Sequence, residues 1–401
     1  MTALLGGGDP TFRPELAALH DNLVNNDHPD AVRSWLNKPA TATILGELGS
    51  GTRALTHASL DQLPRSKPVD HLRAVLVATG ALPERDEHLI RAEAWLAATI
   101  STHPQARLLH RYGGWHLLRR LRTRNHGRHA TASQAAVLQQ QVRAAIRLLD
   151  WLTARNLTLA QARQADLDIW ATSGQTRHHA EAGHFLRWAK SQKLTTIDFP
   201  ATRWPGPAGP IDTEARWRHA RRLLHDTTVK PGDRFAGLLL LLYAQHPATI
   251  SRLTLSDLQA DGTTVRLRVG RQPIALPEPL ADLARTLTTT RTGHAAIGDR
   301  GTSPWLFPGG RPGQPISPDR LAERLRQIGL HPAQDRSTAL FALAAELPAA
   351  LLSQLLGIDI SVAVRWQQAS AGDWTTYAAD YARRDPPKPT PEQGYSEPSN
   401  I

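Results

Sequence analysis

LLLLLYAQHPATISRLTLSDL (238–258) and VRLRVGRQPIALPEPLADL (265–283) decide how this chain is read. The five Leu that open the first stretch belong to an almost unbroken apolar run over 234–244, which suits a helix buried on all sides. The second stretch sets Val265, Leu267 and Val269 against Arg266 and Arg268. That period of two describes a strand with one apolar face and one wet, cationic face. Gly270 supplies a turn, and 272–276 reads as the returning strand. A single hairpin among helical patterns points to a mainly α fold. Its N-terminal domain is helical, and its C-terminal domain is α+β with a small β-hairpin or sheet.

Upstream lies FPATRWPGPAGPI (199–211), whose four Pro and two Gly make it the clearest linker in the chain. It separates a helical domain at 61–198 from a second domain at 212–384. In the first of these, Leu72, Val75 and Leu76, then Leu89, Ala92 and Leu96, recur at helical spacing, with Pro83 between two helices. Phe185, Leu186, Trp188 and Ala189 form the inner side of a further helix over 177–193, whose Arg177, Arg187, Lys190 and Lys193 face water. In the second domain Ser317, Pro318 and Asp319 start a helix, the hydroxyl capping it and the acid sitting near its positive end. Pro348 opens another helix and Gly357 closes it. Residues 1–60, rich in Gly, Thr and Ala, read as a poorly defined arm with small helices, and 385–401 as a disordered tail.

The 401 residues carry 47 Lys and Arg against 36 Asp and Glu, a formal charge of +11, and only six of the 47 are Lys. Such a surplus, built on planar guanidinium forks, favours a polyanionic partner, nucleic acid first. Placement says more than the total. Between Glu93 and Asp150 there is no acidic residue, yet there are nine Arg. Arg119, Arg120, Arg122 and Arg124 crowd one helix, while Arg143 and Arg147 flank the apolar stripe of Val142, Ile146, Leu149 and Leu152. With Arg177, Arg187 and Lys190, and with Arg216, Arg218 and Arg222 of the second domain, they are the candidate DNA-binding residues.

Other chemistry is excluded or unsupported. The absence of Cys rules out disulfides, thiolate zinc sites and cysteine nucleophiles. The opening MTALLGGGDP lacks the pattern of a secretion signal, and no apolar run is long enough to span a bilayer. The chain is therefore read as cytoplasmic, with no membrane partner. His178, His179 and His184 have only Glu181 as a nearby carboxylate, so no metal is expected, and no small-molecule cofactor either.

In order and spacing, residues of about 100 to 380 resemble the tyrosine recombinase (phage integrase) family. FLRWA (185–189) resembles the close of its core-binding domain, and 238–258 its buried helix, turn and Asp before the hairpin. WLFPGGRPGQPISPDRLAERLRQIGL (305–330) is similar to the approach to its second catalytic box, and LLSQLLGI (351–358) to its Leu-Leu-Gly-His box. The resemblance implies DNA recombination or integration by two Arg and supporting His or Lys groups that hold the scissile phosphate while a Tyr attacks it. Fixed guanidinium donors suit that step because its transition state spreads extra charge over the phosphate oxygens.

This chain departs from that pattern at most positions. The first Arg falls on Thr249, with Arg252 three residues on, and the hairpin Lys on Arg271. The second box falls on Ala333 and Arg336, with His331 two residues early, and the last His on Ile358. The nucleophile falls near Trp366 or Gln367, with Tyr377 and Tyr381 further on. Arg336, Arg271, Tyr377 and Tyr381 are the catalytic remnants. Losing one transition-state donor costs about 10²–10³ in rate, so the expectation is duplex DNA binding with impaired catalysis. The two domains are expected to close around double-stranded DNA, with several copies assembling on it. Two rival readings remain open. Residues 349–369 fit a helix-turn-helix, with Ser361, Arg365 and Gln368 facing bases, which would make a transcriptional regulator. Alternatively, the basic helical faces meet an acidic protein, which would make an interaction scaffold.

Overall fold

Side-chain caps set where several of the helices begin, among them Glu87–Ile100, Ala132–Thr153 and Thr213–His225. In the computed structural model the described residues are 13–125, 128–172, 176–199, 211–262, 264–291, 297 and 303–383. They divide into two compact units, residues 83–204 on the one hand and residues 1–82 with 205–401 on the other.

Residues 13–82 hold α1 (Ala17–Val24), α2 (Pro29–Leu36), α3 (Pro39–Gly49), α4 (His57–Asp61) and α5 (Lys67–Ala78). Proline in the first turn starts α2, α3 and α5, where its missing N–H costs nothing. Each helix has only a few apolar positions. Together they bury Leu16, Leu19, Trp35, Leu45, Leu48, Leu72 and Leu76, and Ile297 joins the same core. From residue 13 the expected arm is thus part of a packed helical module that runs to Leu82, with no break at residue 60. Leu72 and Leu76 of α5 fill the core that the earlier helices cannot complete, which ties that helix to what precedes it. Residues 1–12 of the arm lie outside the described residues.

Unit 83–204 contains α6 (Glu87–Ile100), α7 (Ala106–His110), a π-helical stretch (Arg111–Leu118), α8 (Arg119–Arg124), α9 (Ala132–Thr153), α10 (Gln164–Thr172) and α11 (Thr176–Ser191). Helix α9 opens on a capping box in which the Gln134 amide donates to the Thr131 hydroxyl at 3.1 Å and the Thr131 amide donates to Gln134 Oε1 at 2.8 Å. Asp86 caps α6 through Leu89 N at 2.9 Å, and its second oxygen accepts from Ala130 N at 2.5 Å. One carboxylate therefore ties the start of α6 to the entry of α9. Val142, Leu149 and Leu152 are buried as the stripe requires, with Arg143 and Arg147 exposed beside them. Tyr112, Phe185 and Trp188 form an aromatic centre with ring centroids 5.1 to 5.8 Å apart.

Residues 211–383 begin with α12 (Thr213–His225), α13 (Pro231–Tyr243) and α14 (Pro247–Ile250). There follow β1 (Leu258–Asp261), β2 (Thr264–Leu267), β3 (Ile274–Leu276), α15 (Leu280–Thr290), α16 (Pro318–Gln327), α17 (Pro332–Glu346), α18 (Ala349–Leu356) and α19 (Ile360–Arg383). Helix α13 is the expected buried rod: Phe235 and Leu238 to Leu241 are all fully covered. Around it pack α12, α15 and α17. The sheet is antiparallel in the order β1-β2-β3, pairing Gln259 with Arg266 and Val265 with Leu276. Val265 and Leu267 face inward, and Arg266 faces water, as the alternation requires. Strand β1 was not expected from the sequence. The Ser317 hydroxyl accepts from Arg320 N at 3.2 Å, and Gly357 closes α18 with φ +68°.

The fold is mainly helical with a small antiparallel sheet. Most of the linker at 199–211 and the tail at 385–401 lie outside the described residues. Among the described residues, no helix is long and apolar enough to cross a membrane.

Candidate nucleic-acid interface

Within unit 83–204, not every cation of the acid-free stretch is left for a ligand. Arg122 on α8 is ion-paired with Glu93 on α6. The Arg143 guanidinium lies 5.0 Å from the ring centre of Trp95, exposed at its outer end. Lys190 pairs with Asp198 at 2.5 Å. Arg119 and Arg120 are exposed and pair with no described carboxylate. Trp115, four residues before Arg119, is 67% exposed. Arg124 lies on α8 and Arg177 on α11, but their side chains fall outside the described residues.

Arg187, read from the sequence as a water-facing residue, is half-buried on α11. Its Nη2 donates to His184 Nδ1 at 3.3 Å, while its Nη1 is buried with no acceptor. A guanidinium only donates, so Nδ1 must accept, and the neutral ring carries its proton on Nε2. Partial burial, then Arg187 and Arg120, hold the His184 pKa below its ordinary value against the opposing pull of Glu181. His116 is lowered in the same way by burial and Arg120. Burial pushes the Tyr112 hydroxyl up, with Arg187 and Arg120 opposing. The His116 ring lies 6.0 Å from that of Tyr112 at 20° and 6.1 Å from that of Trp188. Arg120, Arg187, His116 and His184 are thus gathered around Tyr112. In the sequence His184 stands out only as a candidate metal ligand and His116 not at all, although His116 stands four residues before Arg120 and His184 three before Arg187, the spacing of helical neighbours.

In the other unit, Arg216 does not belong among exposed DNA contacts. It is 6% exposed, its guanidinium sits 4.7 Å from the ring centre of Trp217, and its Nε and Nη1 have no hydrogen-bond partner. Burial draws its pKa down, with Glu346 opposing. The cause is helical phase: Arg216, Ala220 and Leu223 share the buried side of α12, which packs on α13 and α17. Arg218 and Arg222 are exposed, and Arg222 donates to the Ile328 carbonyl.

Hydrogen bonds join Arg336, residues 243–245, Arg271 and residues 354–356 at one corner of residues 211–383. Arg336, in the first turns of α17, donates from Nε to the Ala244 carbonyl at 2.9 Å, where α13 ends in a left-handed residue. Gln245 is buried and donates to the carbonyls of Tyr243 at 3.0 Å and Leu356 at 3.4 Å. The Arg271 amide in the β2–β3 turn donates to the Gln354 carbonyl at 2.8 Å. Gly270 sits so close that a Cβ there would lie 2.2 Å from the Gln354 oxygen, and one on Gly357 would lie 2.8 Å from the Val269 oxygen.

Among the described residues, several polar side chains at this corner are turned to backbone partners. Burial lowers the Arg336 pKa, and its Nε is committed to a carbonyl. Arg271 and Thr249 are exposed, Ile358 and Gln367 half-buried, and Trp366 buried. His246 uses Nδ1 to accept from Ala248 N at 3.1 Å, and burial and Arg336 draw its pKa down. Ser251 is fully buried and donates to the Ala248 carbonyl, and the Ser353 hydroxyl donates to Ile358 O at 2.8 Å. Tyr377 and Tyr381 fall on α19 with side chains outside the described residues. Ser361, Arg365 and Gln368 are exposed on the first turns of α19, where the helix-turn-helix reading needs them.

No family model and no curated protein matches the chain. Solved structures similar to it are recombinases and integrases. An XerA recombinase is 12% identical, with 65% of this chain and 97% of that one covered and a TM-score of 0.32. The Tn1549 transposon integrase in complex with transposon right end DNA is 13% identical, with 68% and 99% covered and a TM-score of 0.42. The XerH site-specific recombinase bound to difH substrate is 10% identical, with 71% and 95% covered and a TM-score of 0.42.

Proposed function

We propose that this protein binds double-stranded DNA as a recombinase- or integrase-like protein whose strand-cleaving chemistry is impaired, several copies assembling on the DNA. The observation that carries the reading is the cluster of Arg120, Arg187, His116 and His184, with Arg119 exposed next to Arg120 in the chain. Among the described residues, Glu181 is the one carboxylate that acts on His184, and none acts on His116. Exposed guanidinium groups without carboxylate partners are what phosphate oxygens neutralise, with release of counterions. Impairment is supported by the corner near Arg336, where Arg336 Nε and the Ser251 and Ser353 hydroxyls turn to backbone carbonyls.

The test is a duplex-binding titration by fluorescence anisotropy across a salt series, paired with a nicked suicide duplex. Affinity should fall steeply as salt rises, and no covalent adduct should accumulate. Binding absent at low salt would refute the DNA reading. A trapped adduct that disappears in Tyr377→Phe or Tyr381→Phe would refute the impairment.

A further inference from the structure

We propose that Arg187, His184 and Arg120 form a phosphate clamp that closes with uptake of a proton, so that the grip of unit 83–204 on duplex DNA tightens as pH falls. The inference rests on the DNA-binding reading above and adds to it a mechanism of regulation.

The clamp is incomplete as it stands. Arg187 spends Nη2 on the His184 ring nitrogen and leaves Nη1 buried without an acceptor. Buried polar atoms are seldom left unmatched, and here the Tyr112 hydroxyl is buried without a partner as well. Among the described residues, the charged groups acting on His184 are Arg187 and Glu181 of its own helix and Arg120 of α8, and on His116, Arg120 alone. Tyr112 is the other titratable group, walled in by Phe185 and Trp188. A phosphate offers several acceptor oxygens and a negative charge where two guanidinium groups and two imidazoles converge.

Proton uptake follows from the same contacts. With no anion bound, His184 Nδ1 must stay unprotonated to accept from Arg187, and the neighbouring cations disfavour a second proton. When a phosphate draws the guanidinium away, Nδ1 is freed, and an adjacent anion favours the imidazolium. The ring can then donate to the phosphate. His116 gains in the same way once Arg120 is neutralised. The bound-state pKa therefore lies above the free-state one. Between the two values, binding takes up a proton and weakens as pH rises, with a slope of up to about one decade of Kd per pH unit for each histidine. Above both values the dependence vanishes.

The full chain should be titrated with duplex DNA at constant ionic strength from pH 5 to pH 8, as wild type, His184→Gln and His116→Gln. The chain holds 18 His, so the wild-type slope alone decides nothing, whereas the difference between proteins does. The ratio of the His184→Gln Kd to the wild-type Kd should be about tenfold larger near pH 5.5 than at pH 8, whatever its value at pH 8. Calorimetry in two buffers of different ionisation enthalpy should show fewer protons taken up by that variant. His184 has an exposed edge and lies outside the aromatic centre, so Gln should fold there. His116→Gln provides an independent reading of the same linkage. If neither variant alters the slope or the proton count while DNA remains bound, the clamp is wrong and the DNA reading stands. If the wild type binds no duplex at any pH, both fall.

Discussion

Replacing Arg119 and Arg120 together by Ala should flatten the salt dependence of duplex binding, whereas replacing Arg122 alone should leave it near wild type. The contrast comes from the Glu93 carboxylate, which already neutralises Arg122 and gives the first two residues nothing. Each phosphate contact adds about 0.9 to the slope of log affinity against log salt, so loss of two lowers that slope by about 1.8. Over a fourfold rise in salt, from about 50 to 200 mM, the wild type should then lose roughly twelvefold more affinity than the double variant. Anisotropy with one labelled duplex at four or five salt concentrations resolves such a difference. The Arg122–Glu93 pair is half-exposed, so its loss should cost the fold about 1 kcal/mol or less. Equal slopes for wild type and the double variant would remove α8 from the interface. A loss of slope in Arg122→Ala as large as in the double variant would show that the ion pair opens on DNA and that resting pairing does not rank these residues.

Two further outcomes concern the corner at Ala244. Gly270→Ala should lower stability by about 1–3 kcal/mol, read as a fall in melting temperature, because the added carbon meets backbone oxygens that cannot turn aside; a wild-type melting temperature would refute the close approach. Arg336→Met should cost about 1–3 kcal/mol in a urea titration by leaving the Ala244 carbonyl without its partner. Unchanged stability there would mean that the guanidinium is held for a ligand and not for the fold.

The parts of this fold that were legible in the sequence are those in which one residue type has one physical use. The apolar run of α13, the alternation of β2, the cap at Ser317 and the left-handed Gly357 all fall in this class. Strand β1 was hidden because LQAD is a largely exposed edge, held by its pairing with β2 and carrying no pattern of its own. The module before Leu82 was hidden because its short helices acquire a core only collectively. The candidate interface was legible as a region but not residue by residue. Net charge cannot reveal that Arg122 meets a carboxylate 29 positions earlier, or that Arg187 turns to a histidine. Arg216 was recoverable in principle, since its spacing from Ala220 and Leu223 places it on the packed side of α12.

Ile297 has a consequence for how the protein is made. Its side chain completes the core of residues 16–82, yet it leaves the ribosome only after the whole of unit 83–204 has been synthesised. The helices of residues 16–82 thus emerge before the last residue of their own core has been synthesised.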